Sequence, residues 1–417
     1  MCAAEICAFP IWRGSDMTFH RPSDAAEVAE IVAAAGARRQ TLEIFSGGSK
    51  RGFGRPARAD AKLDLSLLSG IVGYEAPELV LTARPGTPLA EVESALRAKN
   101  QMLGFTPPKW LDLLGGEGTP SLGGVLACNL SGPRRVRAGA ARDFILGFAA
   151  VNGRGEIFKA GGKVVKNVTG FDLSKLMVGA FGTLAILTEV TLKAMPRPET
   201  ECTVLVPGLG DAKAFDVMAR ALNSPHEVFA AAHLPACSAR RCSVGAQGSV
   251  TALRLEGPAP SVAFRAGEIE KMFGGGARLD AEGSARCWEE IGEVRALLPE
   301  GAPLVWRLCP TPSSSAGAVA AIRAKFPGAE AFYDWGGGLV WLSLDAAEAG
   351  ADAGASVVRA ALKGVGHATL VVAPDVLREN VEVFQPADPA LAALEARVKQ
   401  NFDPLGLLNP GRMRKGV

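Results

Sequence analysis

Ala25, Val28, Ile31, Val32 and Ala35 fall on one helical face. Pro22-Ser23-Asp24 precede them, Asp24 and Glu27 make a capping-box-like pair, and Gly36 follows, which predicts a helix that ends there. The mostly apolar run Leu42–Phe45 predicts a buried strand delivering the small-residue loop Ser46–Gly54. Lys62–Ser66 and Leu79–Ala83 predict further strands. Thr87 and Pro88, in the order cap then N1, open a helix with Leu89, Val92 and Leu96 on its core face. Phe144–Val151 and Glu156–Lys159 flank Asn152-Gly153-Arg154-Gly155, a hairpin signal. Asp172 caps a short helix through Met177. Beyond it Leu184, Ile186, Val190 and Leu192 alternate with Ala185, Glu189, Thr191 and Lys193, the period of a strand.

Met195-Pro196-Arg197-Pro198 predicts a domain boundary. After it the order is β (Thr203–Val206), α (Ala212–Leu222), β (Val228–His233), β (Val250–Leu255), α (Ser261–Phe273), β (Ala277–Leu279). A helix at Trp288–Leu298 separates this from a second round: β (Leu304–Leu308), α (Ala316–Phe326), β (Ala331–Trp335), β (Leu339–Leu344), α (Ala355–Leu362), β (Ala368–Val372). Two βαββαβ units predict a duplicated ferredoxin-like domain. A last helix, with Leu391, Leu394 and Val398 on one face, leads to Asn409-Pro410-Gly411-Arg412. The expectation is an α+β protein with a first domain at 1–197, a second at 198–375, and a segment at 376–417 that returns to the first.

Chemistry enters with glycine. The stretch Gly115–Gly132 holds six glycines, with Thr119, Ser121, Asn129 and Ser131 among them. Such backbone can approach a ligand closely, and its N–H groups can form an anion-binding concavity. Ser46–Gly54 and the run from Gly170 through Gly182-Thr183 are two more loops of this kind. Three of them in one half of the chain fit an extended ligand with a pyrophosphate in its middle, although each alone is compatible with a surface loop. The common nucleotide signatures fail. No G-x-x-x-x-G-K-[ST] occurs, and the pattern begun at Gly116-Glu117-Gly118 meets Ser121 where its last glycine belongs.

Taken in order, Ser46-Gly47-Gly48-Ser49, then Gly118-Thr119-Pro120-Ser121-Leu122-Gly123-Gly124 with Ala127 and Asn129, then Gly170-Phe171-Asp172-Leu173 and Gly182–Lys193 resemble the FAD-binding domain of the vanillyl-alcohol oxidase (PCMH-type) flavoproteins. The closing Phe402–Arg412 resembles the end of that family's chains. Within it, the chain is similar to the small FAD-binding subunits of bacterial glycolate oxidases. The resemblance implies a two-subdomain PCMH-type FAD domain and a cap over the flavin ring. It implies that Ser46, Gly47, Gly48, Ser49, Lys50 and Gly52 surround the pyrophosphate. Pro107 would lie beside the flavin, and Gly118, Thr119, Ser121, Gly123, Gly124, Asn129 and Ser131 would line the central stretch. Gly182, Thr183, Leu184 and Ile186 would hold the adenine half, and Asn409 would close the site. Many relatives attach the flavin to a histidine in the first loop. That loop has none here, so non-covalent FAD is expected.

Composition narrows the alternatives. The 417 residues are 48% hydrophobic and 21% charged with net charge +2, so no electrostatic footprint for nucleic acid exists. No apolar run approaches a membrane span, and the first residues lack the pattern of a signal peptide. The expected place is the cytoplasm, or the inner face of a membrane through a complex. The eight cysteines contain no C-x-x-C pair and are expected as reduced thiols. No metal site and no iron–sulfur ligand set is therefore expected.

Oxidation of a 2-hydroxy acid needs a cation for the carboxylate and a base for the hydroxyl. Of the four histidines, His20, His226, His233 and His367, the catalytic candidate is His367, with a satisfied or exposed histidine as the default for all four. Arg134, Arg135 and Arg137 form a cation cluster expected on a solvated turn or partner-facing patch, and Lys163 and Lys166 are further cations. Relatives that oxidise such acids carry a Gly-His-x-Gly-Asp-Gly-Asn-x-His segment in the cap, absent here. The resemblance implies partners: a larger FAD-containing catalytic subunit and an iron–sulfur subunit, together turning glycolate into glyoxylate. A free-standing dehydrogenase of a small 2-hydroxy acid such as D-lactate and a non-catalytic flavin-binding scaffold remain open beside it.

Overall fold

A computed structural model describes residues 18–162, 171–274, 276–298 and 304–415. Cys2, Cys7, Lys163, Lys166 and Gly170 lie outside them. Three larger sheets organise the chain. The first is small and parallel, with Ala61–Asp64 between Thr18–His20 and Leu42–Phe45. The helix Ala25–Arg38 covers it. Its buried Val28 and Val32 each contribute roughly 1.5–3 kcal/mol by leaving water. Asp24 caps the helix at Glu27 N (2.9 Å), while Glu27 reaches back to Ser23 N (2.7 Å). The helix does not stop at Gly36. It runs two residues further, and Arg39 takes the left-handed turn (φ 52°).

The second sheet has five strands in the order Ile71–Glu75, Val80–Ala83, Ala185–Lys193, Ile145–Asn152, Ile157–Gly161. Ala185–Lys193 is its central strand and is buried on both faces for most of its length, although its sequence alternates. The hairpin at Asn152 closes as expected, Asn152 N donating to Glu156 O (3.1 Å). Thr87 does not cap the next helix. Its hydroxyl bonds Gly70 N and Arg84 O, Pro88 occupies the cap, and the helix is Leu89–Arg97. Met195–Pro196 pairs with Gln101–Met102, so the expected linker is tied to the first half of the chain.

The third sheet is one antiparallel layer of eight strands. Its order is Ala277–Leu279, Thr200–Pro207, Val250–Gly257, Ala230–Leu234, Glu330–Asp334, Leu339–Leu344, Leu304–Cys309, His367–Val372. Each half has the ferredoxin-like order 4-1-3-2, and the halves meet at the register pair His233–Tyr333. The fold is thus α+β, and its third sheet is the duplicated ferredoxin-like unit that the order of elements predicts. The expected helix at Trp288–Leu298 is instead Ala281–Gly292 plus a 3₁₀ turn at Arg295–Leu297, because Val294 adopts φ 61° between them.

The final helix, Pro389–Phe402, corrects another expectation. Leu391 and Leu394 are exposed, and the docked side carries Val398, Lys399 and Phe402. Lys399 is buried, bonding Asp403 (2.6 Å) and the carbonyl of Thr183 (2.7 Å). No helix among the described residues is long and apolar enough to cross a membrane.

Candidate functional site

The strand Leu42–Phe45 ends where the loop Ser46–Gly54 begins, and the central glycine stretch runs alongside it. Their backbones touch. Thr119 N donates to Gly47 O (2.7 Å), and Gly48 bridges Thr119 as a parallel pair. A Cβ on Gly47 would stand 2.1 Å from Thr119 O, and one on Gly118 would stand 2.1 Å from Gly47 O. Both residues have positive φ. These glycines serve loop-to-loop contact.

The second loop turns into a helix that glycine content concealed, Leu122–Ala127. Ser121 caps it at Gly124 N (3.2 Å) and its hydroxyl meets Ser46 Oγ (2.7 Å). Gly123 lies against Pro85, where a Cβ would be 2.6 Å from that ring.

The chain's end holds this arrangement from behind. Asn409 Oδ1 accepts from Ile44 N (2.7 Å) and its Nδ2 donates to Phe181 O (2.8 Å). Arg412, 8% exposed, donates Nη1 to Arg55 O (3.0 Å) and Nη2 to the carbonyls of Lys50 (3.0 Å), Arg51 (2.9 Å) and Phe53 (2.7 Å). Arg378 adds bonds to Gly52 O (2.6 Å) and Gly54 O (2.7 Å). Six consecutive loop carbonyls, from Lys50 to Arg55, are thus fixed by two guanidinium groups. Burial lowers the pKa of Arg412.

In front of this scaffold lies a cleft of about 840 Å³. Ser46, Gly48, Lys50, Gly123, Gly124, Gly182, Ile186 and Asn409, eight of the candidate residues, line it. Lys50 is buried, which pushes its pKa down to about 8, and its Nζ bonds Lys109 O and Ser49 Oγ. Glu43, the acid on the cleft wall, is neutralised by Arg51 through two bonds of 2.7 Å. Glycine-lined backbone, a helix start, an ammonium group and apolar walls suit a long ligand with an anionic centre.

The remaining expected residues stand elsewhere. Gly47, Gly118 and Thr119 join the loops, Ser49 meets Lys50, and Gly52 packs on Leu114. Thr183 donates its hydroxyl to Ala180 O (2.7 Å) and Leu184 is core. Asn129 and Ser131 accept from Arg142 N and Ala141 N at the edge of a second cavity. Pro107 lies on a separate cleft beside Arg97, Arg197 and Glu289. His367 is exposed, opposite Cys309 at the start of the last cap strand, and lines none of these three clefts.

The cation cluster also departs from expectation. Arg134 is 2% exposed and pairs with buried Glu256 while lying 4.3 Å over the Phe229 ring. Arg135 lies 4.4 Å over Trp335. These partners come from the cap, which the cluster helps to dock. Trp335 Nε1 donates to Gly132 O (3.1 Å), and Glu293 accepts from Lys109 N and Trp110 N (2.6 and 2.7 Å) across the same boundary. Sequence spacing carried no signal for these contacts, nor for Arg412 as the loop's support.

His233 is fully buried on Thr251 (3.0 Å) and His20 lies on an edge strand, both without a place in the clefts. The six cysteines among the described residues are unpaired, and no metal-holding group of His, Cys, Asp and Glu occurs among those residues.

The sequence profile of the family described as "FAD binding domain" matches residues 18–161. The glycolate oxidase subunit GlcE of Escherichia coli (strain K12) is 34% identical over 89% of this chain and 92% of its own length. The glycolate oxidase subunit GlcD of Bacillus subtilis (strain 168) is 29% identical over 44% of this chain and 38% of its own. Among solved structures, 4-ethylphenol oxidase from Gulosibacter chungangensis aligns over 95% of this chain and 88% of its own with a TM-score of 0.71 at 15% identity. p-Cresol methylhydroxylase does so over the same shares with a TM-score of 0.70 at 15% identity. These two likenesses concern the fold.

Proposed function

The chain belongs to the family of the glycolate oxidase FAD-binding subunit, within the PCMH-type flavoproteins, and from that membership we propose that it carries non-covalent FAD in a multi-subunit complex oxidising glycolate to glyoxylate. Its partners in this reading are a larger FAD-containing subunit and an iron–sulfur subunit that takes the electrons. The observation that carries the proposal is the glycine-lined cleft in front of a loop fixed by Asn409 and Arg412, in a chain that covers nearly the whole of GlcE.

FAD, when bound, supplies the two-electron acceptor. The chain's own residues supply placement. Gly47 and Gly118 let the two loops meet, so that the backbone facing the pyrophosphate is set before the cofactor arrives. Gly48, Lys50 and the start of the helix at Leu122 would attract the phosphates, and the wall from Gly182 to Leu187 would hold the adenosine half. Trp110, Phe53 and Trp341, stacked edge to face across the boundary with the cap, keep water from the inner end.

The test is spectroscopic. The purified chain should show a flavin spectrum, and acid precipitation should leave all the flavin in the supernatant as FAD. Co-expressed with the two partners, it should co-purify with them, and anaerobic glycolate should bleach the complex. A chain that takes up no FAD on reconstitution, or a complex that glycolate leaves oxidised, overturns the reading.

A further inference from the structure

Lys50 is the one lysine among the described residues that lines the cofactor cleft. A lysine ammonium sits on a flexible stem, so its charge has a fixed place only where neighbours hold it. Two groups hold this one. Ser49 Oγ (3.1 Å) and the carbonyl oxygen of Lys109 accept from its Nζ.

Lys109 is held in turn from the cap. Glu293, at the end of the helix Ala281–Gly292, accepts from Lys109 N with one carboxylate oxygen (2.6 Å) and from Trp110 N with the other (2.7 Å). Trp110 Nε1 donates to Gly292 O beside it (3.0 Å). The carboxylate of Glu293, the backbone of Lys109 and the ammonium of Lys50 thus form one chain of contacts from the cap to the cofactor cleft.

Both sides of this contact work against local preference. Trp110 has φ 48°, and Val294, next to Glu293, has φ 61°, a conformation that β-branched residues rarely adopt. Such backbone persists where surrounding contacts over-determine it. A carboxylate at the C-terminal end of a helix also faces the negative end of the dipole. The two N–H donors of the first domain, and not its own helix, therefore favour the charge of Glu293 at that place.

Charge makes a second link. Burial lowers the pKa of Lys50 to about 8, while Cys128 and Glu293 pull it upward. Burial holds the Cys128 thiol at about 11, so near pH 8 it is uncharged and Glu293 is the acting anion. The other charges around the loop are engaged: Arg412 with the loop carbonyls, and Arg51 with Glu43.

We propose that Glu293 is a positioning residue for the cofactor cleft: acting through Lys109, it holds the Lys50 ammonium where the FAD phosphates are received, and so couples the seating of the cap to cofactor affinity. The proposal rests on the flavoprotein reading above for its ligand. Such coupling is reciprocal, so bound FAD firms the contact between Glu293 and the Lys109–Trp110 backbone.

The experiment uses the purified full chain, with and without FAD, as the parent and as Glu293→Gln, Glu293→Asp, Lys50→Met and the double variant of Lys50→Met with Glu293→Gln. In the FAD-free chain, carbon-13 NMR of labelled lysine follows Lys50, identified by the signal that Lys50→Met lacks. Its titration near pH 8 should move to lower pH in Glu293→Gln, because the anion favouring the ammonium is gone. Quenching of flavin fluorescence at pH 7.5 should show FAD binding about tenfold weaker in Glu293→Gln, partly recovered in Glu293→Asp. The ammonium loses its charge above its pKa, so FAD affinity should fall with rising pH, and the fall should begin at lower pH in Glu293→Gln. The double variant should bind FAD as Lys50→Met alone does, since the glutamate acts through the lysine. Hydrogen exchange at Lys109 N and Trp110 N should slow when FAD is added to the parent.

A mere folding defect in Glu293→Gln would leave the Lys50 titration in place and add to the loss in the double variant, and either result overturns the proposal. FAD affinity and pH profile unchanged in Glu293→Gln overturn the positioning role and leave the flavoprotein reading intact. A parent chain that binds no FAD overturns that reading, and the proposal with it, even where Lys50 titrates as expected.

Discussion

Replacing Arg412 by alanine removes four hydrogen bonds from the loop that faces the cofactor cleft. The guanidinium holds the carbonyls of Lys50, Arg51, Phe53 and Arg55 at 2.7–3.0 Å from a nearly water-free position. A hydrogen bond from a charged donor contributes roughly 1.5–3 kcal/mol. Water entering the vacated space would satisfy some of the carbonyls, and the arginine's own desolvation is relieved. The net loss is therefore about 3–5 kcal/mol, the range for breaking a buried charged network. In a chain of this size that lowers Tm by roughly 3–6 °C. The loop must also be ordered again by the cofactor, so each ~1.4 kcal/mol of that ordering raises the FAD Kd about tenfold. Lysine at 412 has three donors on one nitrogen and cannot span four carbonyls, so Arg412→Lys should restore less than half of the loss. The assay is a pair of measurements: melting of the FAD-free chain, and FAD titration by quenching of flavin fluorescence. If Arg412→Ala melts within 1 °C of the parent and binds FAD within twofold, the loop does not depend on the chain's end and the reasoning fails.

Gly47→Ala places a Cβ 2.1 Å from Thr119 O at φ 59°, and should lose FAD binding at least tenfold while the cap's unfolding transition is kept; calorimetry and FAD titration check it. Lys399→Met leaves Asp403 buried without its ion-pair partner and should destabilise by about 3–5 kcal/mol in urea melts. Asp211 is pushed up by burial, but bonds from His233 and Tyr333 and the charge of Arg323 outweigh this and hold it at about 2. Since its folded pKa is depressed, its stabilisation is present above pH ~4 and lost as pH falls towards 2. Asp211→Asn should therefore weaken the chain at pH 6 and much less at pH 2.5, and a parallel loss at both would contradict it. Burial raises the Cys309 thiol, yet Arg307, His367 and Arg135 bring it down to about 7, whereas burial holds Cys128 at about 11 and Cys242 at about 12. At pH 7.5 iodoacetamide should label Cys309 before Cys128 and Cys242, and mass spectrometry of the digested chain reads the order.

The cap was legible because its strands and helices alternate in period and each half repeats the same order. Two ferredoxin-like units follow from that pattern alone. The first glycine loop was legible because an apolar strand delivers it. The helix Leu122–Ala127 was not, since Gly123 and Gly124 lower its helix propensity and the close approach to Pro85 that requires Gly123 is a tertiary fact. Arg134 looked like a surface cation because its partner, Glu256, is 122 residues away. Leu391 and Leu394 kept helical spacing yet stand exposed, because the neighbouring Lys399 and Phe402 supply the docked side. That Gly48, Gly123, Gly124 and Gly182 belong to loops was legible; that Arg307 and Asp334 line one cavity was not, since it depends on how strands 304–309 and 330–334 flank the strand 339–344 between them.

The clasp at Asn409 and Arg412 also fixes a schedule. The loop leaves the ribosome by Gly54, but its supports follow about 355 residues later, which at 5–20 residues per second is roughly 20–70 s. During that interval the nascent chain has the glycine loops without the bonds that set them. Capture of the cofactor is therefore an event that follows translation, and a ribosome-stalled chain ending before Asn409 would leave free flavin in the surrounding pool.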